Sequence, residues 1–176
     1  MQLRQGEAVG GGAGTQAHRW VAPRKAAFSP CGRYRYTLWR AWGGAGRKYA
    51  LFICLNPSTA DDHQDDPTVR RCMSFARTWG YERLCVANLF AFRATEPAAM
   101  LAAADPVGPE NDAWLRRVAR GAGIVVAAWG NHGSHAGRAQ QVLALLPRLH
   151  YLRLTRRGQP EHPLRLPGDL TPRPWA

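Results

Sequence analysis

Residues 49–67, which read YALFICLNPSTADDHQDDP, decide the fold. The apolar part at 49–55 is typical of a buried strand, and its lack of alternation favours a sheet covered on both faces. Asn56 ends this run, and a polar loop follows it. Asp66 and Pro67 then supply the residue types of a helix N-cap and a first helical position. Because open α/β sheets bind ligands where strands end in loops, the stretch predicts an α/β fold with its site after this strand.

The rest of the chain repeats this alternation of strand and helix. Apolar runs predict strands, and segments with capping residues and helical apolar spacing predict helices. Strands that alternate with helices imply a three-layer α/β/α sandwich with a central, mostly parallel sheet. The predicted strands are 49–55, 83–89, 124–129 and 149–154, and the predicted helices are 67–79, 96–104, 109–120 and 134–146.

The chain length predicts one domain. Residues 1–16 are rich in Gly and polar side chains and are expected to form a disordered N-terminal tail. Residues 17–176 are long enough to form a single domain with a substantial core. No apolar run is long enough to span a membrane and no signal peptide is recognisable, so we expect a cytoplasmic, nucleoid-associated monomer without membrane contact.

A second strand is predicted before the central one. Residues 33–42 read RYRYTLWRAW, and Arg33, Arg35 and Thr37 alternate with apolar side chains as in a half-buried strand. The glycine-rich turn at 43–46 predicts that this strand pairs antiparallel with the strand at 49–55. An amphipathic edge strand is the favoured interpretation, and a surface of Arg and aromatic side chains for nucleic acid is the alternative.

The charge balance predicts a polyanionic partner. The chain has 24 Lys and Arg residues against 12 Asp and Glu residues, which gives a net charge of +12. Nucleic acid is the simplest polyanion, so we expect double- or single-stranded DNA as the partner, with an affinity that falls with salt. The candidate DNA-contacting residues are Arg70, Arg71, Arg138, Arg156, Arg157 and Arg165.

Neither a metal nor another cofactor is expected. The four cysteines are widely spaced and include no C-x-x-C pair, which argues against a zinc ribbon or a compact iron–sulfur site. His132 and His135 lie after the strand at 124–129, without a third ligand near them in the sequence. The acidic cluster at 61–66 is expected to serve a site, since it lies in so basic a chain, and a solvated loop is the alternative.

Four short motifs resemble, in the same order, those of the uracil-DNA glycosylase superfamily. LNPS at 55–58 resembles its water-activating motif, and LCVANLFAF at 84–92 resembles the strand whose terminal Asn recognises the base. VVAAWG at 125–130 resembles its LLWG strand, and HPL at 162–164 resembles its HPSP motif. More closely, LNPSTAD followed by DDPT resembles an uncharacterised domain family of bacteria and phages. The resemblance implies a uracil-DNA-glycosylase-like fold.

The resemblance, together with the chemistry of base release, implies roles for individual residues. Asn56 would position a water, Asn88 would recognise the base, and His162 would donate a hydrogen bond to the leaving base. Residues 61, 62, 65 and 66 are all Asp and each could add a carboxylate near the sugar; the candidate taken forward is Asp66. The other expected contacts are Leu55, Ser58 and Thr59 to the base, Leu164 and Leu166 as wedges filling the gap in the duplex, and Arg165 to a phosphate.

These expectations favour a monofunctional DNA glycosylase that hydrolyses an N-glycosidic bond and leaves an abasic site. A coupled lyase needs an amine, and the two lysines, Lys25 and Lys48, both precede the predicted cleft. The small side chains at 58–60 leave room for a 5-substituted base, such as the hydroxymethyl or sugar-bearing cytosines of phage DNA, which implies a role in defence against phages. The alternatives are a hydrolase or transferase acting on nucleosides, nucleotides or RNA bases, and a non-catalytic nucleic-acid-binding module.

Overall fold

The computed structural model describes residues 25–43, 46–58, 60–61, 63–146 and 148–175. The predicted tail at 1–16, Thr59 and Asp62 lie outside these ranges. The described residues form two short 3-10 segments, at Asn131–Gly137 and Pro163–Arg165. They also form the strands β1 (Lys25–Phe28), β2 (Arg35–Ala41), β3 (Ala50–Cys54), β4 (Arg83–Asn88), β5 (Ile124–Ala127), β6 (Leu149–Tyr151) and β7 (Arg173–Trp175), and the helices α1 (Pro67–Thr78), α2 (Pro97–Leu101), α3 (Asn111–Gly121) and α4 (Arg138–Leu145).

The strands form one mixed sheet in the order β1-β2-β4-β3-β5-β6-β7. The central strands β4, β3, β5 and β6 are parallel, as predicted, whereas β1, β2 and β7 pair antiparallel. The α/β class is therefore confirmed, but the sheet as a whole is mixed rather than mostly parallel. Strand β7 was not predicted, because its sequence, Arg-Pro-Trp, is short and contains a proline, a residue that sheets accept at an edge.

The predicted hairpin between the strand at 33–42 and the strand at 49–55 is wrong. Strand β2 pairs with β4, with Leu38 opposite Val86, and β4 lies between β2 and β3. The connection at 42–49 is longer than a tight hairpin turn and can span the roughly 10 Å that separate strands two places apart. Strand β2 is also not an edge strand, because β1 covers its other side and most of its residues are buried.

Helices cover both faces of the sheet, as the uninterrupted apolar run of β3 predicted. Leu51 and Ile53 belong to one apolar cluster, which also contains residues of α3 and α4. Phe52 packs on the opposite face against α1, with ring centroids 6.4 Å from Phe75 and 5.7 Å from Trp79. Every residue of β3 is buried, so this strand is the centre of the hydrophobic core.

Helix α1 begins as its sequence predicted. The Oδ1 of Asp66 accepts a hydrogen bond from the N–H of Val69 at 2.8 Å, and Pro67 follows it at the first helical position. The helix ends before Gly80, which has a φ of 79°, a value that glycine accepts without strain. The N-cap is important for the site, because it fixes the Asp66 carboxylate at the end of the polar loop.

Two other helices are shorter than predicted. Helix α2 spans Pro97–Leu101, with Glu96 rather than Thr95 at its N-cap position. The helix predicted at 134–146 begins only at Arg138, because the preceding segment forms 3-10 turns with a kink. Residues 135–137 are not helical, since His135 has a ψ of 132°, Ala136 a φ of 50° and Gly137 a φ of 68°. Just before them, Gly133 packs so closely on Trp129 that a Cβ would lie 2.1 Å from the ring. The irregular segment forms one wall of the site described below.

Among the described residues, no helix is both long enough and apolar enough to cross a membrane.

Candidate functional site

A cavity of about 360 Å³ lies at the carboxyl ends of the parallel strands β3, β4 and β5. Four separate segments bring polar side chains to it. Asn56 follows β3, Asn88 ends β4, Asp66 precedes α1, and His162 precedes the second 3-10 segment. The structure therefore brings together the four residues that the sequence singled out, at the sheet edge where it placed them.

The side chain of Asn56 is held in one orientation. Its Nδ2 donates to the carbonyl oxygen of Ala94 at 2.8 Å and to that of Pro57 at 3.1 Å. Both contacts use the amide nitrogen, so the Oδ1 remains as the end of the side chain that can accept a hydrogen bond from a ligand or a water. The backbone of the same segment is fixed as well, because the Ala94 N–H donates to the Pro57 carbonyl at 3.0 Å.

The amide of Asn88 is buried without an internal partner for its nitrogen. The residue is 1% exposed, and its Nδ2 makes no hydrogen bond to any described residue. Its backbone is well anchored, since the Asn111 Nδ2 donates to the Asn88 carbonyl at 3.0 Å and to the Leu89 carbonyl at 2.9 Å. A buried, unpartnered donor on an anchored strand end is a group that a ligand acceptor would satisfy.

The ring of His162 has one nitrogen engaged and one available. Its Nδ1 accepts a long hydrogen bond from the N–H of Leu164 at 3.4 Å, which places the proton of a neutral ring on Nε2. Burial lowers the pKa of His162 below its ordinary value, although Asp66 acts in the opposite direction. The imidazole is therefore neutral at pH 7, with an N–H donor among the groups that line the cavity.

The acidic loop divides into structural and site-lining carboxylates. The Asp61 Oδ1 accepts the N–H groups of His63 and Gln64, each at 2.8 Å, and shapes the loop itself. Asp65 pairs with Arg40 at 2.6 Å. Among the described acidic residues of the loop, Asp66 lines the cavity. The structure therefore favours Asp66 over the other described Asp residues that the sequence left as candidates.

Sequence reasoning missed Arg35 as a cavity residue. Its alternation with Tyr34 and Tyr36 predicted an outward-facing side chain, but Arg35 is only 2% exposed. Tyr34 and Tyr36 do lie on the other face, where Tyr36 stacks on Trp114 of α3, but the face of Arg35 is covered as well, by the polar loop that contains Ala60. The Arg35 Nη1 donates to the Ala60 carbonyl, and its Nε has no partner in the described residues. Burial lowers its pKa to about 10, so the guanidinium remains charged at neutral pH.

Other residues complete the lining. Leu55 and Ser58, both predicted to contact the base, lie at the cavity, whereas Thr59 is outside the described residues. The cavity lining also contains four residues that the sequence did not predict for the site: Thr68 in the first turn of α1, Thr95, Trp129 and the loop residue Asn131. His132 also lines the cavity, but the residues that the structure describes contain no cluster of three His, Cys, Asp or Glu side chains suited to a metal ion.

The predicted DNA-contacting arginines do not form one class. Arg70, Arg156, Arg157 and Arg165 are exposed, in agreement with a role in binding. Arg138 is a correction, because it is 2% exposed, pairs with Asp112 at 2.5 Å and donates to the Leu89 carbonyl at 2.9 Å. This side chain braces the end of β4 from inside and cannot meet a phosphate backbone. Arg71 of α1, also predicted to contact DNA, is partly buried, donates to the Leu166 carbonyl and lies 4.8 Å over the Phe75 ring.

The loop after His162 differs in part from its prediction. Leu166, predicted as a second wedge, is 3% exposed and belongs to the core. Leu164 is 45% exposed, so it is the apolar side chain of this loop that projects into solvent.

The family "Protein of unknown function (DUF1643)" matches residues 35–164, about three quarters of the chain, including all the cavity residues named above. No curated protein and no solved structure matches the chain. None of these comparisons links the chain to the uracil-DNA glycosylase superfamily.

Proposed function

The chain belongs to the DUF1643 family, whose function is unknown, and from that premise we propose that it is a monofunctional DNA glycosylase. It hydrolyses the N-glycosidic bond of a damaged or enzymatically modified base and leaves an abasic site. The observation that carries the proposal is the convergence of Asn56, Asn88, Asp66 and His162 on one cavity. The motif resemblance to the uracil-DNA glycosylase superfamily implies Asn56, Asn88 and His162, and the chemistry of base release adds the carboxylate of Asp66. The four residues come from four separate segments of the chain.

The arrangement supports a water nucleophile. The fixed amide of Asn56 presents Oδ1 to a water, which donates one hydrogen bond to it and directs a lone pair at the C1′ atom of the sugar. An amide is a weak base, so Asn56 orients the water rather than deprotonating it in the ground state. The bond from C1′ to the base breaks with its electron pair leaving on the base. The water oxygen forms the new bond to C1′ and releases one proton to solvent, and the base anion takes up a proton from solvent after it has left.

The charges in the cavity match those of such a transition state. The sugar becomes oxocarbenium-like, and the Asp66 carboxylate stabilises this developing positive charge. The base leaves as an anion, and the neutral His162 donates its Nε2 hydrogen to an oxygen of that base. Asn88 reads the edge of the base with an amide nitrogen that otherwise has no acceptor in the described residues.

The substrate is proposed to be a pyrimidine with a large 5-substituent. Ser58 and Ala60 follow the Asn56-Pro57 motif with small side chains, and Ser58 borders the cavity. Hydroxymethyl and sugar-bearing cytosines of phage DNA have substituents of this kind, and their excision would act in defence against phages. A base must leave the helical stack to reach this cavity, and the exposed Leu164 is positioned to fill the space that it vacates.

The exposed arginines support DNA as the polymer. Arg70, Arg156, Arg157 and Arg165 are exposed, and the whole chain has a net charge of +12. Affinity for DNA is expected to fall steeply as salt rises, because each neutralised phosphate releases counterions. Fluorescence anisotropy at a series of salt concentrations measures the slope, and an affinity unchanged between low and physiological salt would reject DNA as the partner. The buried Arg138 is not expected to contribute to that slope.

The decisive experiment measures free bases. The protein is incubated with uracil-containing DNA, with DNA from a phage that carries modified cytosine, and with RNA, and released bases are identified by mass spectrometry. The expected result is release of a modified base and an alkali-sensitive abasic site in the DNA. Borohydride trapping of a protein–DNA adduct would contradict the water mechanism, and release of uracil but no modified base would contradict the substrate. Release from RNA alone would reject the assignment to DNA.

A further inference from the structure

A second cavity, of about 380 Å³, lies directly beside the first. The two cavities share Ser58, Ala94 and Thr95 in their linings. A ligand that occupies the first cavity can therefore extend into the second without crossing the body of the protein. None of the arginines that we predicted to contact DNA lines this second space.

The second cavity is strongly cationic. Arg33 and Arg93 both line it, together with the hydroxyl-bearing Ser58 and Thr95, and its lining contains no carboxylate. Within the described part of the chain, neither arginine forms an ion pair with an acidic residue. Two guanidinium groups around one space whose lining contains no carboxylate favour an anion between them. Arg33 also hydrogen-bonds with the Cys31 thiol, whose pKa is lowered to about 7 mainly by hydrogen bonds from Ser29 and Arg33.

Local contacts hold the two arginines in place. The Arg93 Nη1 donates to the Gly32 carbonyl at 3.2 Å, and the Arg93 guanidinium lies 5.0 Å from the centre of the Phe28 ring. The backbone N–H of Arg93 donates to the Arg33 carbonyl at 2.9 Å, which ties the two residues together. Phe28 is 37% exposed, so an aromatic surface also adjoins the cationic cavity.

We propose that Arg33 and Arg93 form a phosphate-binding subsite that holds the DNA strand beside the nucleotide in the first cavity. The inference rests on the proposed function for the identity of that strand. Guanidinium groups bind phosphate oxygens through paired, charge-assisted hydrogen bonds, and the hydroxyls of Ser58 and Thr95 add donors. The subsite is thus a phosphate clamp on the β1–β2 side of the cleft.

The chain offers a matched control for this charge. Arg116 and Arg120 are exposed on α3 and line a separate cavity with Val125 and Leu146, away from the carboxyl ends of the strands. Arg33→Gln/Arg93→Gln and Arg116→Gln/Arg120→Gln remove the same charge from different places. Thermal unfolding of both variants checks that each is folded before its binding is compared.

The test is a scan of oligonucleotide phosphates. Each phosphate around a central abasic-site analogue is replaced in turn by an uncharged methylphosphonate, and the affinity of each oligonucleotide is measured for wild type and both variants. We expect one replacement to weaken wild-type binding about tenfold and to have little further effect on Arg33→Gln/Arg93→Gln, because both changes remove the same contact. The control variant should retain the full tenfold effect of that replacement.

Each outcome decides the question. If the losses from the double variant and from every methylphosphonate simply add, no phosphate meets this arginine pair and the subsite is rejected. A nucleoside 5′-monophosphate, titrated as a separate arm, identifies a free nucleotide as the phosphate source if it binds as tightly as the oligonucleotide and loses affinity in the double variant. That result keeps the subsite and rejects the strand. Because the scan measures binding only, it remains valid if no base is ever released.

Discussion

Two arginines of the same strand, Arg35 and Arg40, show how differently a buried cation can be used. Arg40 is 3% exposed and makes four hydrogen bonds, to Asp65 and to the carbonyl oxygens of Trp39, Asp61 and Gln64. Arg35 is as deeply buried, yet among the described residues it donates one hydrogen bond, to the Ala60 carbonyl, and its Nε finds no partner there. Arg40 uses its donors to fix the acidic loop, whereas Arg35 has a donor that a ligand can use.

The comparison teaches how to separate structural from functional polar groups in this protein. Folding strongly disfavours a buried donor without an acceptor, so such a donor persists where a bound partner completes it. Thr37 Oγ1 and Arg71 Nε also lack a partner among the described residues but do not line the cavity, so an unpartnered donor alone does not mark the site. Asn88 and Arg35 combine such a donor with a place in the lining of the same cavity. Asn111 and Arg138, which are buried nearby, instead use their donors to anchor the end of β4.

The largest expected effect is on the unfolding free energy, where the Arg40 variant should lose more than the Arg35 variant. Arg40→Met removes the ion pair with Asp65 and the donor to two loop carbonyls, and breaking a buried ion pair costs about 3–5 kcal/mol of unfolding free energy. Arg35→Met removes one hydrogen bond and should cost about 1 kcal/mol. Urea unfolding measures the unfolding free energy of both variants. Equal losses would contradict the assignment of Arg40 as structural and Arg35 as available to a ligand.

The next effect concerns catalysis at Asn56. Asn56→Ala removes the oxygen that orients the water, so base release should fall roughly a hundredfold or more. Affinity for DNA should remain close to that of wild type, because the phosphate-contacting arginines lie elsewhere. Single-turnover release together with anisotropy separates the two quantities. A variant that binds and reacts like wild type would remove Asn56 from the mechanism.

A matched pair of asparagines sharpens the comparison further. Asn111→Ala removes two hydrogen bonds to the end of β4 and should lower the unfolding free energy by about 2 kcal/mol. Asn88→Ala removes an amide whose nitrogen has no described partner, and its cost in stability should stay below about 1 kcal/mol. Base release should show the reverse order, with the larger loss in Asn88→Ala. Identical stability losses would show that Asn88 is structural.

The smallest expected effect is in the pH dependence of base release. The pKa of His162 is lowered mainly by burial, so the ring stays neutral as the pH falls to its ordinary value of 6.5 and is protonated only below it. Protonation of Nδ1 would break its hydrogen bond with the Leu164 N–H, and the rate should decline only in that lower range. Arg165 contributes to the lowering, so Arg165→Gln should move the decline to higher pH.

Each pH profile is compared with its own plateau, which removes differences in DNA affinity. A decline at the same pH in wild type and Arg165→Gln would show that another group titrates. His162→Ala serves as the control, since its residual rate should lack this pH dependence altogether.

Much of the site was predictable because its residues lie next to strong local signals. The apolar run of β3 and the Asp66-Pro67 helix start are each confirmed, and together they place Asn56 and Asp66 at one edge of the sheet. Arg35 was not predictable in the same way. Its alternation with Tyr34 and Tyr36 places it on the opposite face of β2, but alternation does not show whether a distant segment, here the loop with Ala60, covers that face.

Local sequence therefore determined the α/β class, the parallel central strands and the loops that carry Asn56, Asn88 and His162, since periodicity and capping act over short distances. Strand order, the burial of Arg35 and Arg138, and the core position of Leu166 depend on which distant segments pack together. Long-range pairing places β4 between β2 and β3, and packing decides whether a charged side chain finds acceptors inside. Such contacts join residues far apart in the chain, so no local pattern records them.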